Sequence, residues 1–475
     1  MHIFCRVLLI ILFTASAAMA QKLPASDRVY IDSIMNAHYK SGCPGAVVLA
    51  AINGRILFRK AYGMASLELS VRQKPEFLFP LGSIVKQFTA VSILKLAQEG
   101  KLSLQDEVKK FIPDYNTHGY KITLENLLTH TSGIKSLYEL PGYMKLRREE
   151  YGPDDLRKLF EEQELYFEPG TDWNYSNSGF SLLGMVIEKV SGMSFSAYLK
   201  ENIFRPLKMT RTFILTGDQV IPGFVPYYKS SGKGLYRPGP YFSFSSLFAA
   251  GDIISCCDDM LKWDEALYTE KILKHEWLSK AWSSFMLPDG QKTNYGYGWA
   301  LGEFKGMHFI QHDGIAGYLS DAIRVPEKHL YVFIASNNGS LSPNDAANKI
   351  ACRLLGLNTD RPVKPDGKIL PEYAATFEVK RPAGNDFRYF SKDKVYRRIT
   401  ISGDSLFSEC TTEGKYKLLP IEKDVFLFEG TDTKVQFKRN EEGKITGLRI
   451  YSEPVNYGPE DVEQVSEVEL SEKKN

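Results

Sequence analysis

Phe79-Pro80-Leu81-Gly82-Ser83-Ile84-Val85-Lys86 marks a change of period in the chain. Before it, Ala46 to Ile52 and Arg55 to Phe58 are strand-like runs around Asn53-Gly54, the pattern of a β-hairpin. After it, from Ser83 to Glu99, apolar residues recur at helical spacing, and Gly100 is the expected stop. Ser83 therefore opens an apolar helix. In Ser-x-x-Lys at such a point, the lysine shares the serine's face of the helix. There a neutral amine can take the hydroxyl proton, and the positive end of the helix favours the developing anion. The same spacing occurs at Ser92, Ser132, Ser230, Ser391 and Ser471. Ser92 falls mid-helix, and Ser230, Ser391 and Ser471 fall in loops or near the tail. Only Ser83–Lys86 begins an apolar helix, although a serine there can also serve simply as a helix cap.

Outward from this point the chain is polar and helical to about residue 285. Strand-like runs then return at Tyr295 to Leu301, Met307 to Gln311 and Leu330 to Ser336. Strands at both ends and helices between predict an α+β domain, with one antiparallel sheet assembled from both ends and a helical insertion. Two prolines, a glycine and mixed charges from Asn358 to Gly367 predict a linker. Beyond it, short runs such as Tyr396 to Ser402, Val425 to Glu429 and Lys434 to Lys438 predict a small all-β barrel or sandwich. The expected division is 1–20, 21–357, 358–369 as linker and 370–475.

The first twenty residues carry Arg6, the apolar run Val7 to Phe13, and Ala18-Met19-Ala20, which together read as a secretory signal peptide. Export to a periplasm or to the exterior is expected. No later run reaches the roughly 18 apolar residues of a membrane span. With 59 Lys+Arg against 57 Asp+Glu among 475 residues, no basic excess suggests a nucleic-acid partner. A small molecule or peptide fits better. Five cysteines follow the leader, an odd and scattered set that does not read as a disulfide framework. There is no C-x-x-C or H-E-x-x-H, so a dedicated metal site is not expected, and a serine hydrolase would need no organic cofactor. His308 and His312, four apart in a strand-like run, lack a third ligand.

Two further motifs could serve a nucleophile at Ser83. Tyr175-Ser176-Asn177 precedes the helical run Gly179 to Val190, and sets a phenol beside an amide. His312-Asp313-Gly314 follows Met307 to Gln311, and its glycine would let a substrate approach the strand edge. The backbone N–H of Ile315 could then join that of Ser83 as an oxyanion hole. Gly403-Asp404-Ser405-Leu406 imitates an esterase motif but lies between two strand runs, and reads as a hairpin turn.

In this order, Ser-x-x-Lys, Tyr-x-Asn and a Lys/His-x-Gly strand resemble the serine β-lactamase and penicillin-binding-protein superfamily. The branch is that of class C β-lactamases, D-alanyl-D-alanine carboxypeptidases, D-aminopeptidases and related esterases. Leu127-Leu128-Thr129-His130-Thr131-Ser132-Gly133, Phe167-Glu168-Pro169-Gly170 with Trp173, Ile203 to Leu207, and Tyr295-Gly296-Tyr297-Gly298-Trp299 strengthen the resemblance, which spans about residues 25–355. It implies a β-lactamase/DD-peptidase-like domain followed by a barrel-like appendage. It also implies Ser83 as acylated nucleophile, Lys86 and Tyr175 as base and acid, and Asn177, His312 and Gly314 as substrate-binding positions. His130 would be structural.

One departure bears on substrate. Class C β-lactamases carry Lys-Thr-Gly at the third motif, whereas this chain has His312-Asp313-Gly314. A histidine is largely neutral at pH 7, and Asp313 adds negative charge if it faces the site. That argues for an ester, amide or D-amino-acid peptide over a β-lactam, unless Arg324 compensates. The alternatives are a class C-like β-lactamase and a penicillin-recognising protein that binds without turnover.

Overall fold

The computed structural model describes residues 23–215, 219–357, 370–379, 396–410, 414–429, 431, 433–452, 454–455 and 462–464. The expected leader 1–20, the expected linker 358–369, Ser391 and Ser471 lie outside the described residues.

Six strands form the central antiparallel sheet: β1 (Ala46–Ile52), β2 (Arg55–Tyr62), β3 (Ala300–Phe304), β4 (Met307–Ala316), β5 (Tyr318–Val325) and β6 (Leu330–Ser336). Their order is β3-β4-β5-β6-β1-β2. The two ends of the domain meet where β1 pairs with β6, from Ala46 opposite Ser336 to Ile52 opposite Leu330. The hairpin turns at Asn53-Gly54, both at positive φ. Ala46 to Ala51 are all buried because both faces of the sheet are covered. Val48 and Ala50 pack with Ile31 and Met35 of helix α1 (Ala25–His38) and with Ala347 and Ile350 further on. Val47, Leu49 and Ala51 face the helical region instead, sharing a core with α2 (Val85–Gln98) and α3 (Asn177–Ser191). Two more helices, α4 (Cys257–Ala266) and α5 (Asn344–Leu354), complete the layers.

The strand expected at Tyr295 to Leu301 begins only at Ala300. The preceding residues turn back, because Gly298 sits at φ +84° with its α-carbon pressed toward the Lys86 carbonyl. The strand at Met307 is longer than expected and contains His312-Asp313-Gly314 rather than ending before it. Among the described residues no helix is long and apolar enough to cross a membrane.

The C-terminal strands β7 (Ala375–Val379), β8 (Tyr396–Ser402), β9 (Ser405–Cys410), β10 (Gly414–Glu422), β11 (Val425–Phe428), β12 (Thr433–Arg439), β13 (Ile445–Ser452) and β14 (Val462–Gln464) form a closed antiparallel barrel. Gly403-Asp404 is the two-residue turn between β8 and β9, since Ser402 pairs with Ser405. Inside lie Tyr373, Phe377, Phe426, Phe437 and Leu448. After β13 the chain reaches across to the first domain. Val455 is buried in the same cluster as Phe304 and Phe309, and a Cβ on Gly302 of β3 would fall 2.0 Å from the Pro454 carbonyl oxygen. The edge strand β3 is thus covered rather than left as a pairing template.

Candidate active site

Ser83 lies in a single 3-10 turn, Gly82–Ile84, that leads into α2, while Phe79–Pro80 pairs with Ile253–Ser255 just before it. Two glycines bring this turn against β4. At Gly82 (φ +54°) a Cβ would lie 2.6 Å from the Ile315 nitrogen, and at Gly314 one would lie 1.9 Å from the Leu81 carbonyl oxygen. The missing side chain of Gly314 therefore makes room for the protein's own backbone, not only for a substrate. The Ser320 hydroxyl donates to the same Leu81 oxygen at 2.8 Å. Ser83 and the Ile315 N–H end up on neighbouring segments at the start of a helix.

Lys86, the second residue of α2 and one turn past Ser83, is fully buried. Its Nζ donates to Asn177 Oδ1 at 2.7 Å and to the Ala250 carbonyl at 3.0 Å, and lies 3.2 Å from Ser83 Oγ. Burial pulls the amine well below the ordinary lysine range, and Asp313 only partly opposes this. A neutral amine has two N–H bonds and one lone pair. With both N–H bonds given to carbonyl-type oxygens, the lone pair is left for the Ser83 hydroxyl.

Tyr175 is buried beside this group, its ring centroid 4.8 Å from Lys86 Nζ. Burial raises its phenol well above 10, the neighbouring Tyr295 adds to this, and a hydrogen-bonding contact with Ser83 works the other way. At neutral pH it keeps its proton. Asn177 is set at the first turn of α3 by the Ser176 cap, whose hydroxyl accepts from the Gly179 N–H at 3.2 Å. The Asn177 amide nitrogen donates to Ser136 Oγ at 3.3 Å.

His130 holds the Tyr-Ser-Asn turn from behind. Its Nδ1 accepts from the Ser176 N–H at 3.1 Å, and its carbonyl accepts from the Asn174 N–H at 2.9 Å. Its ring lies 4.3 Å from that of Tyr175 and 4.7 Å from that of Tyr295. Burial, with Lys86 and His312 adding, keeps the imidazole neutral. The Leu127–Gly133 segment thus reaches the site as a support.

His312 is also fully buried. Its Nδ1–H donates to the Asp313 carbonyl at 2.7 Å, so Nε2 is the acceptor for the Tyr295 hydroxyl at 2.9 Å. Burial, then Lys86, pushes it down to about 3, which leaves no cation at the position of the third motif's lysine. Asp313 retains partial exposure and acts electrostatically on Lys86, Tyr175 and Tyr295, which puts its charge at the site. Arg324 does not compensate. Its Nη2 is held by Asp264 Oδ1 at 2.5 Å, and its guanidinium stacks 4.8 Å from Tyr268 and 4.6 Å from Trp282.

The structure therefore brings Ser83, Lys86, Tyr175, Asn177, His312, Gly314 and Ile315 together. Sequence reasoning missed Ser136, the Ala250 carbonyl and the specific use of Tyr295. Only Tyr295, inside the Tyr-Gly-Tyr-Gly-Trp stretch, left a signal.

A family model described as Beta-lactamase matches residues 19–356. The chain belongs to the beta-lactamase family. It is 27% identical over 421 residues to a penicillin-binding protein of Bacillus subtilis (strain 168), covering 83% of this chain and 90% of the relative. An octameric penicillin-binding protein homologue from Pyrococcus abyssi superposes with a TM-score of 0.64 at 24% identity, over 92% of this chain and 99% of the other. That likeness spans the barrel as well and shows the fold. A D-stereospecific amidohydrolase from a Streptomyces species superposes with a TM-score of 0.60 at 27% identity, over 70% of this chain and 99% of the other.

Proposed function

We propose that this beta-lactamase family member is an exported serine hydrolase that acts through an acyl-enzyme on Ser83, and that it cleaves esters or D-amino-acid amides in preference to β-lactams. The observation that carries this reading is the environment of Lys86, a buried amine with both N–H bonds committed and Ser83 Oγ 3.2 Å away. In the first half-reaction the Lys86 lone pair takes the hydroxyl proton as Ser83 Oγ bonds to the carbonyl carbon. The Ser83 and Ile315 N–H groups face the resulting oxyanion. Tyr175, still protonated, gives its proton to the leaving alcohol or amine as that bond breaks, and recovers one from the Lys86 ammonium. A water then repeats the sequence on the acyl carbon and frees Ser83.

The substrate preference rests on charge. His312 is neutral and Asp313 is negative at the place where class C β-lactamases would offer a cation and a hydroxyl. A β-lactam carboxylate finds no attraction there. The similarity to a D-stereospecific amidohydrolase agrees with an amide or ester substrate. Export rests on residues 1–20 alone, and amino-terminal sequencing of the secreted protein should begin at Gln21.

The test is turnover of p-nitrophenyl esters, D-amino-acid p-nitroanilides and a chromogenic cephalosporin by the mature protein and by Ser83→Ala. Ester or anilide turnover that disappears in the variant supports the reading. Equal turnover by both proteins sinks it, and cephalosporin turnover exceeding that of the esters reverses the substrate preference.

A further inference from the structure

Arg147 ends the one-turn helix Tyr143–Leu146 on the chain segment that runs on from Ser136, the residue that holds Asn177. Its Cζ lies 4.1 Å from the ring centroid of Phe242 and 5.8 Å from that of Tyr143. The Ser243 N–H donates to its carbonyl at 2.8 Å, which ties this segment to residues 242–246. Both segments flank the catalytic group. Tyr138, whose phenol feels the Arg147 charge and the Tyr143 hydroxyl, also acts electrostatically on Tyr175. On the other side, Phe242 and Tyr227 close on Gly317, two residues beyond Ile315, where a Cβ would meet Tyr227 at 2.7 Å and Phe242 at 3.0 Å.

The guanidinium is half-buried, and its Nε is shielded from solvent with no acceptor in reach. Among the described residues its side chain makes one polar contact, a weak one from Nη1 to Met144 Sδ at 3.9 Å. Among the described residues no carboxylate pairs with it. Arginines that the fold uses for structure look different: Arg157 is paired with Asp114 and Glu161, and Arg324 with Asp264. A guanidinium presents a planar fork of donors that matches a carboxylate in two parallel hydrogen bonds. A partly shielded, unpaired fork on an aromatic wall is a binding element without its partner.

We propose that Arg147 recognises a carboxylate of the substrate remote from the bond that is cut, so that the preferred ester or amide is anionic. This rests on the acyl-enzyme reading above and names its substrate class. The negative charge of Asp313 close to Lys86 disfavours a carboxylate beside the reacting carbon. Arg147, set against the Phe242 and Tyr143 rings, offers such a charge a partner. A diacid half-ester, with its carboxylate several bonds from the ester that is cut, has this form.

The experiment compares p-nitrophenyl half-esters of succinate, glutarate and adipate with p-nitrophenyl butyrate and valerate, using the full chain and the variants Arg147→Gln and Arg147→Lys. At least one half-ester should exceed the neutral esters in kcat/KM. R147Q should remove that advantage by about tenfold to a hundredfold, as expected for a lost charge-assisted pair, mainly through KM. R147K should retain part of it, and neutral-ester turnover should not change. Added salt at 0.5 M should erode the preference in the parent protein. Calorimetric binding of glutarate and adipate gives a readout that needs no turnover, with binding expected to the parent and lost in R147Q. Equal handling of charged and neutral esters, equal slowing of both by R147Q, or no diacid binding to the parent would each overturn the proposal. Failure of all ester turnover with diacid binding intact would strike the acyl-enzyme reading instead.

Discussion

Lys86 and Arg324 are both cationic side chains that the fold removes from water, and they meet opposite fates. Lys86 has no carboxylate in contact, only the carbonyl-type oxygens of Asn177 and Ala250, and burial strips its proton. Arg324 faces Asp264 at 2.5 Å and lies between Tyr268 and Trp282. A guanidinium does not give up its proton in proteins, so its burial demands a counter-ion and aromatic faces. An amine accepts the other solution and becomes a base. The lesson is that the residue type and the absence of a carboxylate, not burial by itself, make the difference between chemistry and structure.

Substitutions can break this comparison. The largest effect is expected at the catalytic end: Ser83→Ala or Lys86→Met should lower kcat/KM for a turned-over ester by at least about a thousandfold, measured on protein of unchanged circular dichroism. Next is Asp264→Ala, which leaves Arg324 buried and unpaired. It should cost about 3–5 kcal/mol in denaturant unfolding, while the folded fraction keeps its kcat. If Asp264→Ala instead abolished turnover without loss of stability, the two sites would not be separable.

A subtler difference lies in pH dependence. The folded-state pKa of Lys86 is depressed, so below the ordinary lysine value the unfolded chain binds a proton that the native state does not. Stability then rises with pH until the unfolded amine also loses its proton near 10.5. Lys86→Met removes this term. Its melting temperature should not fall below the parent's at pH 7, and the gap should close as the pH approaches 10. The same ionisation predicts an acidic limb in the pH profile of kcat/KM, as protonation of Lys86 occupies the lone pair.

The smallest effect concerns Glu139. Burial pushes its carboxyl up to about 7, although Tyr166 donates to it and Lys135 lies near. Here the folded pKa is raised, so the stabilising contribution is complete below about pH 4.5 and is lost as pH rises through 7. Glu139→Gln should flatten the melting temperature between pH 5 and 8. A variant that tracks the parent across that range would show that Glu139 does not titrate there.

Much of the fold was legible because its patterns are local. Leu330 to Ser336 is a fully buried apolar run and forms β6 with the same bounds. The barrel strand Tyr396–Ser402 likewise shows at the residues expected. The strand Tyr318–Val325 was not legible, since Ser320, Asp321 and Arg324 interrupt its apolar pattern. Their partners are the Leu81 carbonyl, Gln311 and Asp264, and for Ser320 and Arg324 these lie far away in sequence. Helix α1 hid for the opposite reason, because it buries only Ile31 and Met35 on an otherwise polar surface. At the site, the short motifs announced Ser83, Lys86, Tyr175, Asn177 and Gly314. The sequence could not announce that His312 would be sealed between Tyr295 and the Asp313 backbone, or that Arg147 would stand against Phe242. The first depends on how the chain turns back between Tyr295 and His312, and the second on segments almost a hundred residues apart meeting.

The pairing of Ala46–Ile52 with Leu330–Ser336 also sets a clock. During synthesis the first hairpin leaves the ribosome long before its neighbour in the sheet exists. Until that neighbour arrives, Val47, Leu49 and Ala51 have neither a strand beside Ala46–Ile52 on that edge nor a finished core beneath them. Closing so long a loop is slow, and an open apolar edge invites association with other chains. Among the described residues the last piece of the core that includes Val48 and Ala50, Val455, arrives later still. A nascent chain stopped short of it should be aggregation-prone, and refolding from denaturant should be slow and concentration-sensitive.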